Sequence, residues 1–205
     1  MKHLLIIFTL LLTSVSWSKD VAIKDLVKRD GLWYEKFTNE PFTGNSTGLK
    51  QGKVKDGKKD GEWLYYSVNG QLYLKNTYKD GILHGERLKY YDNGKLYRKG
   101  NYKDGKRNGL KTEWHKNGRK ESEGNWKNDK QEGLLTAWYE NGQKRTEINY
   151  KNGKKEELQT RWHENGQKRS EVNWVDGKVD GVVTFWDKEG DVTQTDTYKD
   201  GKLVK

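Results

Sequence analysis

Apolar and polar residues alternate along this chain in short runs that end at glycine. From Leu134 to Tyr139, Leu134, Thr136 and Trp138 fall on one side and Leu135, Ala137 and Tyr139 on the other, which is the period of a β-strand. The runs recur: Gly70, Gly94, Gly118, Gly142, Gly166 and Gly190 stand 24 residues apart, and all but the last follow Asn. A second lane, Gly57, Gly81, Gly105, Asp129, Gly153, Gly177 and Gly201, keeps the same period, as does a third, Gly61, Gly85, Gly109, Gly133, Glu157 and Gly181. Aromatic residues keep step at Tyr66, Tyr90, Trp114, Trp138, Trp162 and Trp186, and again at Tyr78, Tyr102, Trp126, Tyr150, Trp174 and Tyr198. The near-identical segments WYENGQKR at 138–145 and WHENGQKR at 162–169 are two instances of one period, and six copies of a 24-residue unit cover residues 60–202.

Asn-Gly between strand-like runs predicts a hairpin in every unit. With Glu140, Asn141 and Gly142 as a three-residue loop and Gly142 left-handed, Trp138 stands opposite Lys144, Thr136 opposite Thr146 and Leu134 opposite Ile148. Tyr150 then extends the same face. Arg145, Glu147 and Asn149, with Arg169, Glu171 and Asn173 one unit on, form a polar face toward water. One hairpin buries too little apolar surface to offset the ordering of its own backbone. The units must therefore lie edge to edge, aromatic rings packing on those of neighbouring units. The predicted fold is all-β: an elongated single-sheet repeat array of antiparallel β-hairpins. Where Asp129 and Glu157 replace glycine in left-handed backbone, a local kink is expected.

Composition changes this picture only at the ends. A mean hydropathy of -1.19 and a net charge of +10 would suit a disordered chain. Nine Trp, 12 Tyr and regularly spaced glycines overrule that reading. Residues 1–18 read as a signal peptide: Lys2 supplies charge, Leu4 to Leu12 an apolar run and Ser16-Trp17-Ser18 the small residues before a cut at Lys19. The exported chain, periplasmic or secreted, is not expected to be transmembrane, because a membrane helix needs about 20 apolar residues. The chain has no Cys, so neither disulfides nor lipidation at the cut is expected. Residues 19–56 read as an N-terminal cap and partial repeat, in which Asp30-Gly31 turns and Phe37 and Phe42 cover the first hairpin; residues 57–205 hold the six repeats. Lys199, Lys202 and Lys205 guard the last strand.

The spacing from Gly133 to Gly153, with Trp138, Asn141-Gly142 and Tyr150 between, resembles the MORN repeat variant of bacterial proteins labelled YwqK-family antitoxins. Residues 37–44 (FTNEPFTG), ahead of Gly57 to Gly61, resemble the opening of such arrays. The resemblance covers Trp33 to Lys202 and implies a stacked hairpin fold and a partner toxin.

No feature points to an enzyme, and no cofactor is expected. His115 and His163 hold one repeat position two units apart, roughly 20 Å at the strand spacing of a sheet, so they cannot share a metal and read as surface residues. There is no Cys nucleophile, G-x-S-x-G or phosphate loop. Binding remains. The lane Tyr66, Tyr90, Trp114, Trp138, Trp162 and Trp186 reads either as core packing or as a platform left open for a partner. A basic edge runs through Lys53, Lys55, Lys58 and Lys59, then Lys103, Lys106 and Arg107, then Lys151, Lys154 and Lys155. Solubility explains it, and so does an electrostatic stripe for an acidic protein, anionic lipid or anionic glycan. Nucleic acid fits the charge but not the export. The sequence thus predicts a non-enzymatic protein-protein interaction module, antitoxin-like or immunity-like, that docks an acidic partner such as a toxin. The competing expectation is envelope-surface adhesion to anionic lipid or polysaccharide.

Overall fold

The computed structural model describes residues 18–204, so the signal-peptide expectation lies outside the described residues but for Ser18, and Lys205 lies outside them as well. Seventeen strands form one sheet and two form a separate hairpin. From Gly44–Thr47 onward each strand pairs antiparallel with its successor, through Lys202–Leu203, except that Lys106–Arg107 and Gly109–Trp114 lie in line and both pair with Leu96–Lys103. Asp20–Ala22 adds the one parallel pairing, against Gly44–Thr47. The strands Leu26–Arg29 and Leu32–Glu35 make the separate hairpin, turning at Asp30 and Gly31. Among the described residues no helix is long and apolar enough to cross a membrane.

Two kinds of turn alternate. Gly142 is left-handed at φ +91°, its N–H bonded to the Tyr139 carbonyl, while Tyr139 N–H bonds the Gln143 carbonyl. At the opposite end of the strands Asn152 and Gly153 are both left-handed, φ +53° and +83°, the two-residue hairpin turn that matches the twist of a sheet. The third glycine lane is not a turn at all. Gly133 lies inside the strand Lys130–Trp138, where the pairing with the preceding strand slips between Gly124 and Asn125, so its lane marks a recurring bulge.

A second bulge corrects the predicted register. Trp138 does stand opposite Lys144, but the pairing shifts at Ala137, which puts Thr136 opposite Glu147 and Leu135 opposite Ile148. Glu147 therefore shares the Trp138 face instead of an opposite, solvated one. Ile148 and Tyr150 lie on the other face, so each face of the sheet carries its own aromatic lane. No two rings of the Trp138 lane pair with each other among the described residues, and the ring-on-ring stacking expected of it does not form. Equivalent residues lie two strands apart, ~10 Å, too far for rings to touch.

At the two positions where kinks are expected each lane keeps its form, and Glu157 lies at the same kind of bulge as Gly133. Asp129 and Glu157 adopt left-handed backbone, φ +66° and +62°, and Lys154–Trp162 runs unbroken. Hydrogen bonds offset the strain: Asn149 donates to the Glu157 carboxylate at 2.7 Å, and the Arg107 backbone N–H and Nε donate to Asp129 at 3.0 and 2.9 Å. The densest apolar packing is at the N-terminal end, where Val21, Leu26, Phe42, Val54, Trp63 and Tyr65 bury one another. Phe42 is 5% exposed there, whereas Phe37 is fully exposed with φ +64° and covers nothing.

Candidate functional site

The two rows of turns give the sheet two long edges of different construction. On the edge that carries Gly142, side chains reach from each turn to the next repeat. Tyr91 and Tyr139 hydroxyls donate to the carbonyls of Trp114 and Trp138's successor Trp162, each at 2.7 Å; His115 and His163 bond Trp138 and Trp186 carbonyls through Nε2, each at 3.0 Å. A Tyr and a His thus alternate in one role, because each places a donor at the end of a flat ring. Beside them Asn117, Asn141 and Asn165 donate to the carbonyls of Glu140, Glu164 and Lys188 at 2.9, 2.8 and 2.7 Å. Their own oxygens accept from the backbone two residues on, at 2.9, 2.9 and 3.1 Å. His115 and His163 are half-buried staples, not the surface residues the sequence suggests. Among the described residues no His, Asp and Glu group with metal-binding geometry forms.

On the edge that carries Gly153 the donors are backbone: Gly105, Asp129, Gly153 and Gly177 N–H donate to Leu83, Arg107, Gln131 and Lys155 carbonyls at 2.8, 3.1, 2.9 and 2.9 Å, and Asn152, Asp176 and Asp200 N–H donate to the Glu132, Glu156 and Asp180 carboxylates at 2.9, 2.9 and 3.2 Å. The flanking side chains are lysines facing lysines. Lys55 pairs with Lys58, Lys103 with Lys106, Lys127 with Lys130, Lys151 with Lys154 and Lys199 with Lys202, and all ten are exposed. Of these ten only Lys154 and Lys199 form an ion pair among the described residues, with Asp176 and Asp180 at 3.3 and 3.0 Å.

The structure separates the predicted basic residues into two groups. Lys103, Lys106, Lys151 and Lys154 lie on this edge, as do Lys55 and Lys58. Arg107, Lys155 and Lys59 turn inward onto rings instead: Arg107 over Trp126 at 3.6 Å, Lys155 over Trp174 at 4.2 Å and Lys59 over Trp63 at 4.1 Å. Burial, then the nearby charges of Lys50 and Lys28, pushes Lys59 down to about 8, and burial followed by Arg161 lowers Lys155. Lys53 lies in the strand opposite Asp60, away from the turn.

The aromatic lane is half-buried from Tyr66 to Trp186 and is interleaved with cations. Lys120, Lys144 and Lys168 stand 5.9, 5.8 and 5.9 Å from the ring centres of Trp138, Trp162 and Trp186. Each lysine also bonds a carboxylate three residues on, Glu123, Glu147 or Glu171, at 2.7, 2.6 and 2.6 Å. The rings are thus already engaged within the sheet, and Tyr66 and Tyr90, opposite Leu72 and Leu96, begin the same lane without lysines. The expected placement of Lys144 opposite Trp138 holds, but sequence reasoning missed that Lys120, Lys144 and Lys168 each reach toward the ring of the next repeat.

No curated protein matches the chain. The model of the MORN repeat variant matches it at residues 59–80, 83–104, 131–152 and 158–176, so the hairpin array carries four recognisable MORN repeats of the variant type.

Proposed function

We propose that this protein is a non-enzymatic interaction module that binds an acidic protein along its lysine edge. The supporting observation is the set of lysine pairs facing each other across five of the seven turns on this edge. Like charges directly opposite one another destabilise a hairpin, so the folded chain gains nothing from them. The three middle pairs recur every two strands, ~10 Å, at about one Debye length in physiological salt, and the outer two stand one turn further off, beyond Lys79 opposite Ile82 and Val175 opposite Lys178, so an extended acidic surface meets them together while no single pair suffices. The finer reading follows from the MORN resemblance: the partner is a toxin-like protein, met after export, and the chain acts as its antitoxin or immunity factor.

The test is capture of an acidic partner from the producing cells by the exported chain, with affinity measured against salt. Reversing Lys103, Lys106, Lys151 and Lys154 to Glu should weaken the complex at least tenfold and flatten its salt dependence, with the thermal midpoint held within a few degrees. Unchanged affinity in that variant sinks the reading. Retention by anionic liposomes or cell-wall polymer in place of a stoichiometric protein complex would select envelope adhesion instead.

A further inference from the structure

A pocket of about 190 Å³ opens on one face of the sheet over the strands Ile82–Tyr90, Leu96–Lys103 and Gly109–Trp114. Its floor includes Gly100, at the repeat position that holds Ile148 and Val172 further along the array. A Cβ built on Gly100 would have only the Lys111 Cγ near it, at 3.9 Å, so the space above the glycine is open. Two of the side walls are the rings of Tyr102 and Trp126. The stretch from 105 to 130, which lies between matched repeat segments, contributes Arg107, Lys111 and Trp126.

Around this space stand five cations: Arg87, Lys89, Arg98, Arg107 and Lys111. Two carboxylates answer them. Glu113 accepts from Arg98 at 2.6 Å and pairs with Lys111 at 2.9 Å, and Asp129 pairs with Arg107 at 2.9 Å. Arg87 and Lys89 form no ion pair among the described residues, and the Arg87 Nε is buried without a hydrogen-bond partner. Five cations less two carboxylates leave an excess of three positive charges. The guanidiniums cannot shed theirs, and stacking on Tyr102 at 5.8 Å and Trp126 at 3.6 Å holds Arg87 and Arg107 in place. Lys89 registers the resulting potential: burial, then the charges of Arg87 and Arg98, lowers its pKa. A buried donor without an acceptor, beside uncompensated charge, is stabilised by an oxygen anion that enters from solvent.

We propose that this pocket binds one small oxyanion, a phosphate or sulfate ester, through Arg87 and Lys89, with Arg98 and Lys111 supplying charge at its rim. The charge excess favours a dianion over a monocarboxylate, and the small volume of the pocket favours a small molecule over a surface. The lysine edge plays no part in it, so this site and the proposed partner surface stand or fall separately.

Calorimetric titration of the full exported chain with inorganic phosphate, sulfate and acetate in low-salt chloride buffer tests it. One saturable phosphate or sulfate site is expected, with acetate at least tenfold weaker. Arg87→Gln should weaken phosphate at least tenfold. Gly100→Val, at a position where the later repeats carry branched residues, should fill the floor and abolish binding with the circular dichroism spectrum intact; Lys89→Gln serves if either variant fails to fold. Lys151→Glu with Lys154→Glu should leave phosphate affinity unchanged. Absence of saturable binding, equal affinity in Arg87→Gln and Gly100→Val, or loss on reversing Lys151 and Lys154 would each overturn the site, the last by showing that diffuse charge suffices.

Discussion

On the edge that carries Gly142, every turn from Tyr91 to His163 reaches forward and bonds the next repeat with a side chain. On the edge that carries Gly153, turns bond backward through backbone N–H groups, to a carbonyl and, at Asn152, Asp176 and Asp200, also to a carboxylate of the preceding unit, while the flanking lysines point lysine against lysine into solvent. Both edges use glycine in left-handed backbone at the same period, so the difference lies in what surrounds the glycine. The first edge fixes how far each repeat slides on its neighbour. The second edge is tied back as well, but by backbone and carboxylates, so most of its lysines take no part in those ties and can hold charge that folding would disfavour. In the reading proposed above, the side chains of one edge hold the register while the lysines of the other are left for a partner.

The largest effect is expected from breaking the stapled edge. Tyr139→Phe with Asn141→Ala removes two bonds to the next repeat and the Asn141 cap on the Gln143 N–H. At about 1 kcal/mol each, the pair should lower stability by ~2–3 kcal/mol in urea unfolding. A loss below ~0.5 kcal/mol would mean that backbone pairing alone sets the repeat spacing.

A smaller effect separates the hydrogen bond from the ring. His163→Tyr should be nearly neutral, since Tyr139 already fills the equivalent position with the same bond. His163→Phe keeps the ring and loses the donor, and should cost about 1 kcal/mol by thermal unfolding. If both variants cost the same, the ring's packing and not its donor is what the repeat uses.

Much of this design was legible in the sequence and part of it was not, for a physical reason. Glycine and aromatic lanes reveal themselves because a missing Cβ and a large ring are chemically singular, so the hairpins and their number follow. Bulges leave a weaker mark. The slip at Ala137 needs only one extra residue in the partner strand, near Arg145, which no residue type announces, and it moves Glu147 to the face of Trp138. The third glycine lane announced a left-handed residue but not whether it lay in a turn or within a strand. Of the candidate residues, the edge lysines were readable from their place beside Asp-Gly and Asn-Gly. The pocket cations Arg87, Lys89 and Lys111 were not singled out, because no single one of them stands apart from the chain's other basic residues. Their signal was relational: Gly100 and Gly124 stand where Ile148 and Val172 stand later.

Lys59 stands next to the lysine edge and is nonetheless held by its neighbours. Its Nζ donates to the Tyr65 hydroxyl at 2.7 Å over the Trp63 ring. With a folded pKa of about 8 against 10.5 in the unfolded chain, the unfolded state binds more protons between those values. Stability should therefore rise from pH 8 toward pH 10 relative to Lys59→Met, and run parallel to it below pH 7. Thermal midpoints of both proteins across that range check the sign; parallel curves throughout would show the ammonium fully solvated.

The smallest effect belongs to the lysine edge itself and carries the opposite sign from the first. Lys151 and Lys154 face each other across Asn152-Gly153, and only Lys154 has a carboxylate, Asp176, nearby. Lys151→Gln with Lys154→Gln removes a repulsion between exposed groups and one exposed ion pair, terms of a few tenths of a kcal/mol each. Stability should stay the same or rise by up to ~0.5 kcal/mol at low salt, and the difference should vanish at about 0.5 M salt, where the Debye length falls below the separation of the charges. A loss comparable to that of Tyr139→Phe with Asn141→Ala would show that the lysines hold the repeats together, and the division of labour between the two edges would be gone.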